Sequence, residues 1–587
     1  MEYQPLNTTK NEIRLLHIAP SQQYEDQITC TFSLASLDKD IAYEALSYVW
    51  GDSKNMPSVN LEGHQVQVTK NLHSALRHLR FTDRERILWV DALCINQSNI
   101  QERSNQVSRM SSIYCQASCV IVFLGEAWEG SEIAIEVLQR MGENAKLHCD
   151  QNLEPSLEIN GKGLESDEIQ GYLIRFFQLP WWTRLWTVQE YVLAKNVVFQ
   201  CGRRLLSGET IRKSREHIWT HDGDCCAKVG LQIVHETLGN SITECLDILS
   251  SMEFVRTSKE NYTFPFILSH FRSRVATDTR DKIYGMLGLA TIRYAERIEV
   301  DYTRSAEEVF EAATLASIKE TRTLEIFSHL FGQRTLTLPS FVPDWTAAFP
   351  KQADYQSRLN YITFYNAGGG RQAVLRQVTP GKVATKGIIF DKIAQLGSLF
   401  GYVSNEDIVG EMRALGGIDR CPQDMYCHTD ETHEMAFWHT LCGSMDMFKD
   451  HFEMDVYTED LKKYFRRIGK SSNFSNNEKW QEWFLAPSPL DDELYDNNIG
   501  SIHQLFRGTA IGRRFAVTKL GLIGFVPESC EIGDLVVVMP GGSVPYVLRP
   551  AELPDNHGIE DKKCYTILGD AYIHGIMDGE AFEMSEK

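Results

Sequence analysis

The stretch ILWVDALCINQ at residues 87–97 decides the fold, because a short apolar run passes directly into a cluster of polar side chains. The four apolar residues that open it are typical of a strand that is buried on both faces. Asp91, Asn96 and Gln97 follow them and therefore lie beyond the carboxyl end of this strand. Open α/β sheets bind ligands at that edge, so the stretch predicts both a sheet and the position of a site.

On both sides of this stretch the chain alternates between strand-like and helix-like patterns. Short apolar runs typical of buried strands lie at residues 45–50, 119–124 and 197–199. Apolar residues recur at helical spacing in residues 72–79, 100–117, 131–141, 168–177 and 184–194. Asn71 is the expected cap of the first of these helices. The alternation predicts an α/β domain over residues 1–205, in which helices cover both faces of a parallel sheet.

A second polar cluster, WWTRLWTVQE at residues 181–190, is rich in tryptophan. Trp186 and Glu190 are four residues apart, so on a helix they lie on one face. An aromatic wall excludes water from a carboxyl group, which raises its pKa, and it can also stack against a flat ring. This pattern favours a ligand site. The alternative is that the tryptophan residues belong to the core, that Glu190 is solvated and that Asp91 is a helix cap.

Composition and charge exclude several classes of protein. The 587 residues include 59 Lys and Arg against 79 Asp and Glu, a formal net charge of −20, so no overall positive field attracts nucleic acid. Apolar runs long enough for a membrane span are absent, and the first residues lack the pattern of a secretory signal. The 14 cysteine residues are scattered, as in proteins with reduced thiols. We therefore expect a cytoplasmic protein that binds no nucleic acid and has no membrane span.

The remainder of the chain divides into three further segments. Residues 206–400 have mainly helical patterns and begin with a polar, irregular stretch that extends to about residue 230. Residues 401–504 are expected to form a variable excursion with helices and loops. Short apolar runs separated by turns that contain Gly and Pro predict a small β-barrel over residues 505–587.

The segment 401–504 contains a group of residue types that can bind metal ions: Cys421, Cys427, His428, His433, His439 and Cys442. Zinc sites use closely spaced pairs, such as two cysteine residues separated by two to four others. Cys421 and Cys427 are farther apart than that. We therefore predict no metal site and interpret the histidine residues as surface residues of a helix.

Several segments resemble the fungal heterokaryon incompatibility (HET) domain. Its three blocks are similar to YEALSYVWG at residues 43–51, LWVDALCINQ at residues 88–97 and RLWTVQE at residues 184–190. Full-length members of the family are similar to this chain at TDTRDKIYGMLGL (277–289), LPSFVPDW (338–345) and GDAYIHGIMDGE (569–580). On these motifs the chain is identified as a HET domain protein.

This resemblance implies a role in fungal non-self recognition and in the regulated cell death that follows fusion of incompatible individuals. HET domains are distantly similar to Toll/interleukin-1 receptor (TIR) domains, which have a flavodoxin-like parallel sheet. Many TIR domains cleave NAD with one glutamate on a helix. By that similarity Glu190 is the candidate catalytic residue, and Thr187 stands where TIR domains usually have cysteine.

Under this interpretation NAD is a substrate, and no cofactor is expected. Nicotinamide leaves as a neutral molecule, so one carboxylate can suffice where glycosidases use two. Roles in substrate binding are predicted for the residues of the two clusters, namely Asp91, Trp186, Arg184, Asn96 and Gln97. The remaining motif residues are expected to be structural, namely Trp50, Gly51 and Arg103.

A non-catalytic signalling or scaffold module is the alternative, because similar folds do not by themselves carry similar functions. A binding protein with a housekeeping role is a third interpretation. For the first two, the expected partner is another incompatibility protein or a second copy of this chain.

Overall fold

The computed structural model describes residues 2–52, 54, 56–232, 235–258, 262–290, 298–347, 349, 352–401, 408–418, 420–427, 429–444, 506–551 and 563–586. The chain divides into two compact units, residues 1–309 and residues 310–587. Within the described ranges, every helix is too short or too polar to cross a lipid bilayer.

A nine-stranded sheet runs through the first unit. Its strands are β1 (Glu12–Ile18), β2 (Thr29–Ser36), β3 (Glu44–Tyr48), β4 (Ser58–Leu61), β5 (His64–Gln67), β6 (Arg86–Trp89), β7 (Cys119–Gly125), β8 (Val197–Cys201) and β9 (Arg204–Ser207). Their order across the sheet is β5-β4-β2-β1-β6-β3-β7-β8-β9. The four central strands, β6, β3, β7 and β8, pair in parallel, which confirms the predicted α/β class. Numbered in chain order, these four have the 2-1-3-4 arrangement of flavodoxin-like sheets.

Antiparallel strands extend this parallel centre on both sides, so the sheet is mixed and not parallel throughout. β1 pairs antiparallel with β2 and with β6, and β9 pairs antiparallel with β8. The sequence pattern missed these outer strands. β2 is only partly buried, with exposed and half-exposed positions along most of its length, so it lacks the continuous apolar run of a central strand.

Helices alternate with strands over residues 1–205 of the first unit, as predicted, and further helices follow. They are α1 (Lys70–Leu79), α2 (Asp91–Cys94), α3 (Ile100–Ser108), α4 (Met110–Gln116), α5 (Ser131–Glu143), α6 (Asp167–Phe177), α7 (Trp186–Val192), α8 (Gly208–Asp222), α9 (Ile242–Ser258), α10 (Phe264–His270) and α11 (Asp281–Leu287). The boundary between the two units falls within α12 (Ala306–Thr321).

Three local predictions in this unit are corrected. The helix expected over residues 100–117 is two helices, separated at Arg109. The cap of α1 is Thr69, whose hydroxyl accepts from the Leu72 N–H over 3.3 Å, because Asn71 instead donates its amide to the Val49 carbonyl. The polar stretch after residue 201 is not irregular, since it contains β9 and α8, and α8 packs against α5.

The second unit is built on a seven-stranded antiparallel sheet. A separate hairpin, β10 (Leu375–Thr379) and β11 (Lys382–Thr385), precedes it. The sheet consists of β12 (Ile388–Phe400), β13 (Arg513–Thr518), β14 (Ile523–Pro527), β15 (Leu535–Val538), β16 (Tyr546–Ala551), β17 (Cys564–Asp570) and β18 (Tyr572–Ile573). Its order is β17-β16-β15-β12-β13-β14-β18. Because Ala571 alone separates the two outermost strands along the chain, the sheet must curl, as in the predicted barrel.

The barrel begins earlier in the chain than its predicted start at residue 505. Its central strand β12 comes from the segment expected to be helical, and irregular pairing near Asp391 interrupts the alternation that marks a strand. The helices of this unit after α12 are α13 (Gln352–Ile362), α14 (Ile408–Leu415), α15 (His433–Cys442) and α16 (Glu580–Glu586). Much of the excursion predicted at 401–504 lies outside the described residues, and the four-domain division stays a prediction.

Candidate functional site

A cleft of about 1170 Å³ opens in the first unit where β3 and β6 end. The loop after β3 contributes Trp50 and Gly51, the segment after β6 contributes Asp91 and Gln97, and α7 contributes its first turns. Two later segments, residues 275–281 and residues 302 and 304–306, line another part of the cleft. The predicted site residues that line it are Trp50, Gly51, Asp91, Gln97, Arg103, Arg184, Trp186 and Glu190.

Glu190 lines this cleft although it is only 6% exposed. Its Oε2 accepts a hydrogen bond from the Ser47 hydroxyl, and the Ser47 oxygen accepts from the Trp181 indole N–H over 2.7 Å. Burial raises the pKa of Glu190 to about 7; the Ser47 hydrogen bond opposes this rise, and the negative charge of Asp91 adds to it. A carboxyl group with this pKa can accept or release a proton near neutral pH.

Asp91 connects the segment after β6, to which it belongs, with the loop after β3. One carboxylate oxygen, Oδ2, accepts from the Trp50 indole N–H over 2.7 Å, and Oδ1 accepts from the Ala92 backbone N–H over 2.7 Å. The Gln97 amide donates to the Asp91 carbonyl over 2.9 Å. Burial raises the pKa of Asp91, and the hydrogen bonds from Trp50 and Ala92 limit the rise. Asp91 is the first residue of α2, whose cap is Val90 and not Asp91 as the alternative interpretation expected, and it lines the cleft.

The turn that presents Trp50 depends on Gly51. Gly51 has a φ of +78°, which favours glycine because a side chain would be strained there. Asn71 supports the same turn from α1, since its amide donates to the Val49 carbonyl over 2.6 Å. The motif pair Trp50 and Gly51 thus positions an indole against the Asp91 carboxylate.

Trp186 is held by residues far along the chain. Its indole N–H donates to Asp281 Oδ2 over 2.9 Å, and the Tyr302 hydroxyl donates to Asp281 Oδ1 over 2.6 Å. Burial raises the pKa of Asp281 to about 6, although these two hydrogen bonds act against the rise. The sequence interpretation did not include Asp281 and Tyr302 in the site. The DKIYG segment that contains Asp281 was the signal that could have found it.

The cations around the cleft are not equally available. Arg280 pairs with both oxygens of Asp278 over 2.9 and 2.7 Å, and Arg103 stacks on the Tyr302 ring at 3.8 Å and approaches Asp278 at 3.5 Å. Arg184 forms no ion pair within the described part of the chain. Its charge lowers the pKa of both Asp91 and Glu190, so it lies close enough to act on them. Arg184 is therefore a cation available for an anionic ligand, and Arg304, which also lines the cleft, contacts the Glu308 carbonyl over 3.0 Å.

Two predicted features lie away from the cleft. Asn96 is absent from its lining, and the Asn96 side-chain oxygen accepts from the Ser98 hydroxyl over 2.7 Å. Trp181 and Trp182 are fully buried and belong to the core, as the alternative interpretation expected, while Trp186 lines the cleft.

The cysteine and histidine residues considered above as metal ligands lie in the second unit, and those described here contact different groups. Cys427 donates its thiol to the Leu520 carbonyl over 2.9 Å, and His428 lies outside the described residues. His439 is buried and not a surface residue, and its ring contacts Glu431 over 3.1 Å. The other oxygen of Glu431 contacts His574 over 2.7 Å. Burial would raise the pKa of Glu431, but the hydrogen bonds from His439 and His574 outweigh it and hold that pKa well below its ordinary value.

The cleft combines a buried carboxyl group that titrates near neutrality, a second buried carboxyl group, an indole wall and an available arginine. This set can bind an anionic ligand with a flat ring and can act on a bond through proton transfer or charge stabilisation. Its volume of about 1170 Å³ exceeds the usual range of small-molecule sites, about 300–1,000 Å³, so it has room for a dinucleotide.

Comparisons with known proteins identify two segments of the chain that match known families. Residues 43–190 match the family described as heterokaryon incompatibility protein (HET), and residues 419–587 match the Het-6 beta-barrel domain. The chain is 25% identical, over 673 aligned positions, to the Neurospora crassa protein "Heterokaryon incompatibility protein 6, OR allele", with 99% of this chain and 96% of that protein covered. No solved structure matches the chain. The HET match ends at Glu190, whereas Asp281 and Tyr302 come from outside it.

Proposed function

We propose that this chain, a HET domain protein of the heterokaryon incompatibility family, acts in fungal non-self recognition and cell death by hydrolysing NAD in the cleft of its first unit. The observation that carries the proposal is the position of Glu190, a buried carboxyl group with a pKa of about 7 in a cleft that also holds Arg184 and Trp186.

The reaction needs few groups. The bond between the ribose C1′ and the nicotinamide nitrogen breaks, nicotinamide leaves as a neutral molecule, and the ribose develops positive charge. The ionised Glu190 carboxylate stabilises that charge and then accepts a proton from the attacking water. The products are nicotinamide, ADP-ribose and one proton, so atoms and charge balance.

The other cleft residues have complementary roles in this proposal. Arg184 pairs with the pyrophosphate, where a guanidinium can make two parallel hydrogen bonds. Trp186, whose ring is fixed by Asp281, walls the nicotinamide or adenine ring. Asp91 and Gln97 bind ribose hydroxyls. A local cation is required because the overall charge of −20 repels an anionic dinucleotide.

A non-catalytic signalling module is the second candidate, and one observation favours it. Glu190 is almost inaccessible, and the chain of hydrogen bonds through Ser47 to Trp181 gives its carboxyl group a structural role in the core. In this case the protein acts through contact with another incompatibility protein or a second copy. Under both candidates we propose a cytoplasmic location.

The test measures nicotinamide and ADP-ribose released from NAD by the purified full chain. Glu190→Gln is compared with Glu129→Gln, a substitution of an exposed glutamate that does not line the cleft. We expect the rate of the first variant to fall about 100-fold or more, the usual effect of losing an acid–base group, and the second to match the wild type.

Two results would contradict the proposal that this chain hydrolyses NAD. One is the absence of nicotinamide release by the folded wild type, also at protein concentrations that drive self-association. The other is equal rates for the wild type and Glu190→Gln. If Glu190→Gln still causes cell death when expressed in a fungal host, the non-catalytic candidate is supported instead.

A further inference from the structure

Four side chains with metal-binding atoms converge in the first unit, away from the cleft. His148 lies in the connection between α5 and α6, His221 is in the last turn of α8, and Cys225 and Cys226 follow that helix. Each offers one ligand atom, and these four atoms all lie within 4.8 Å of one another. The set combines two thiols and two imidazoles, the composition of a common structural zinc site.

The distances between these atoms fit a tetrahedron. Cys225 Sγ lies 3.0 Å from His221 Nδ1, 3.2 Å from His148 Nδ1 and 3.7 Å from Cys226 Sγ. Cys226 Sγ lies 3.7 Å from His148 Nδ1 and 3.8 Å from His221 Nδ1. Zinc bound about 2.3 Å from sulfur and about 2.0 Å from nitrogen holds its ligand atoms roughly 3.3–3.8 Å apart. These five distances agree with that geometry to within about half an ångström.

The surroundings orient the ligand atoms inward. His221 Nε2 is 2.9 Å from the Ala145 carbonyl, so the ring proton belongs on Nε2 and the lone pair on Nδ1 faces the cluster. The Cys149 backbone N–H donates to Cys226 Sγ over 3.2 Å, a contact that stabilises a thiolate. The rings of His148 and His221 meet edge to face at 4.9 Å, which keeps both from rotating freely.

We propose that His148, His221, Cys225 and Cys226 bind one Zn²⁺ as a structural site. The two thiols release their protons to solvent on binding, so the two thiolates and two neutral imidazoles balance the charge of the ion. Thiolate and imidazole ligands in a tetrahedron favour zinc over the hard cations Mg²⁺ and Ca²⁺. Four protein ligands leave no open position, so the metal supports the fold and does not act on a substrate.

The position of the site explains what the metal stabilises. The connection between α5 and α6, residues 144–166, contains no helix or strand and is held by isolated bridges such as that between His148 and Ser156. Connections longer than about 12–15 residues without secondary structure are uncommon in compact domains. Zinc fastens this connection to the end of α8. Cys225 is exposed, so the ion can enter from solvent.

The test measures metal and not enzymatic activity, so it is independent of the proposed function. Zinc is counted by mass spectrometry in the purified full chain, and the chain stripped with a chelator is titrated with ZnCl₂ while its thermal unfolding is followed. We expect one Zn²⁺ per chain, a lower unfolding temperature after stripping and recovery with ZnCl₂. Cys225→Ser should weaken zinc binding at least about 100-fold. Loss of a residue that only hydrogen-bonds to a metal ligand already lowers metal affinity about 10–100-fold. Cys115→Ser, at an exposed cysteine outside the cluster, should bind zinc like the wild type.

Cobalt provides a readout that does not depend on the variants folding. Co²⁺ added to the stripped wild type should give the visible bands of a tetrahedral ion and a sulfur-to-metal charge-transfer band, and ZnCl₂ should abolish both. The absence of these bands overturns the proposal, as does a folded Cys225→Ser that retains zinc like the wild type. A disulfide between Cys225 and Cys226 in the freshly purified chain also overturns it, because the thiolates would then be unavailable.

Discussion

Trp186 donates its indole N–H to the carboxylate of Asp281 over 2.9 Å, and this bond joins α7 to the start of α11 across 95 residues of sequence. The second oxygen of Asp281 accepts from the Tyr302 hydroxyl, so one buried carboxyl group holds two aromatic side chains. Because Trp186 lines the cleft, the wall of the site depends on a residue outside the segment matched as the HET domain.

Tyr302→Phe tests this bond network. The variant keeps the ring on which Arg103 stacks but removes the hydroxyl that donates to Asp281. We expect a loss of about 1.5–3 kcal/mol in the free energy of unfolding at pH 7, the usual contribution of a hydrogen bond to a charged group. Urea unfolding followed by tryptophan fluorescence measures it. Tyr172→Phe removes an exposed hydroxyl and is the matched control; an equal loss in both variants would contradict the network.

Glu190 gives the stability of the first unit a defined pH dependence. Its pKa is 4.5 in an ordinary setting and about 7 in the fold, so between these values the folded state binds more protons than the unfolded state. Stability therefore falls as pH rises from about 4.5 to 7. Glu190→Gln removes this penalty, and we expect it to be more stable than the wild type at pH 8, by up to about 3 kcal/mol, with no gain at pH 4. Urea unfolding at the two pH values measures the gain, and a gain of equal size at both would refute the assignment.

The rate of NAD hydrolysis should also depend on the ionisation of Glu190, but it should rise with pH where stability falls. Since the ionised carboxylate is the active form, NAD hydrolysis should increase as pH rises and reach half of its maximum near pH 7. The measurement is kcat/KM for nicotinamide release between pH 5 and 9, because its pH dependence reports the ionisation of the free enzyme. A rate that decreases over this range would show that a protonated group is required instead.

Arg184→Gln tests the phosphate contact. Arg184 has no ion pair to lose among the described residues, so the fold should tolerate the change. We expect KM for NAD to rise about 10–100-fold, as a charge-assisted contact of about 1.5–3 kcal/mol implies. Nicotinamide riboside, which lacks the pyrophosphate, should show no such increase. Arg84→Gln, at an exposed arginine outside the cleft, is the control; an equal effect on both substrates would exclude the phosphate contact.

In the second unit, Glu431 links His439 to His574 and makes the barrel domain sensitive to acid. The pKa of Glu431 is held well below its ordinary 4.5, so its contribution to stability is present above pH 4.5 and is lost as pH falls below that value. Glu431→Gln should lower the free energy of unfolding by about 2 kcal/mol at pH 7, less than for a fully buried pair. The variant should also lose less stability than the wild type as pH falls from 7 to 3, and thermal unfolding over this pH range measures both effects. If both proteins lose the same stability on acidification, another group is responsible for the acid sensitivity.

The parallel centre of the first sheet could be predicted because buried strands appear in the sequence as short runs of apolar residues. β7 is buried for most of its length and β6 in its second half, and such burial requires runs of apolar residues. The same reasoning located Asp91, because polar residues that follow such strands gather at one edge of the sheet. Glu190 was found instead by its helical spacing to Trp186 and by the resemblance to TIR domains. Local patterns failed where burial is partial or pairing irregular, as in β2 and β12.

The sequence by itself determined the α/β class, the C-terminal strands and the residues at the strand ends. Only the tertiary structure decided that Asp281 and Tyr302 complete the cleft, that Asn96 lies outside it, and that His148 meets His221, Cys225 and Cys226. The physical reason is the range of the contacts. Periodicity reports which side of an element is buried, whereas the partner across 70 or more residues depends on how packed elements bring distant loops together.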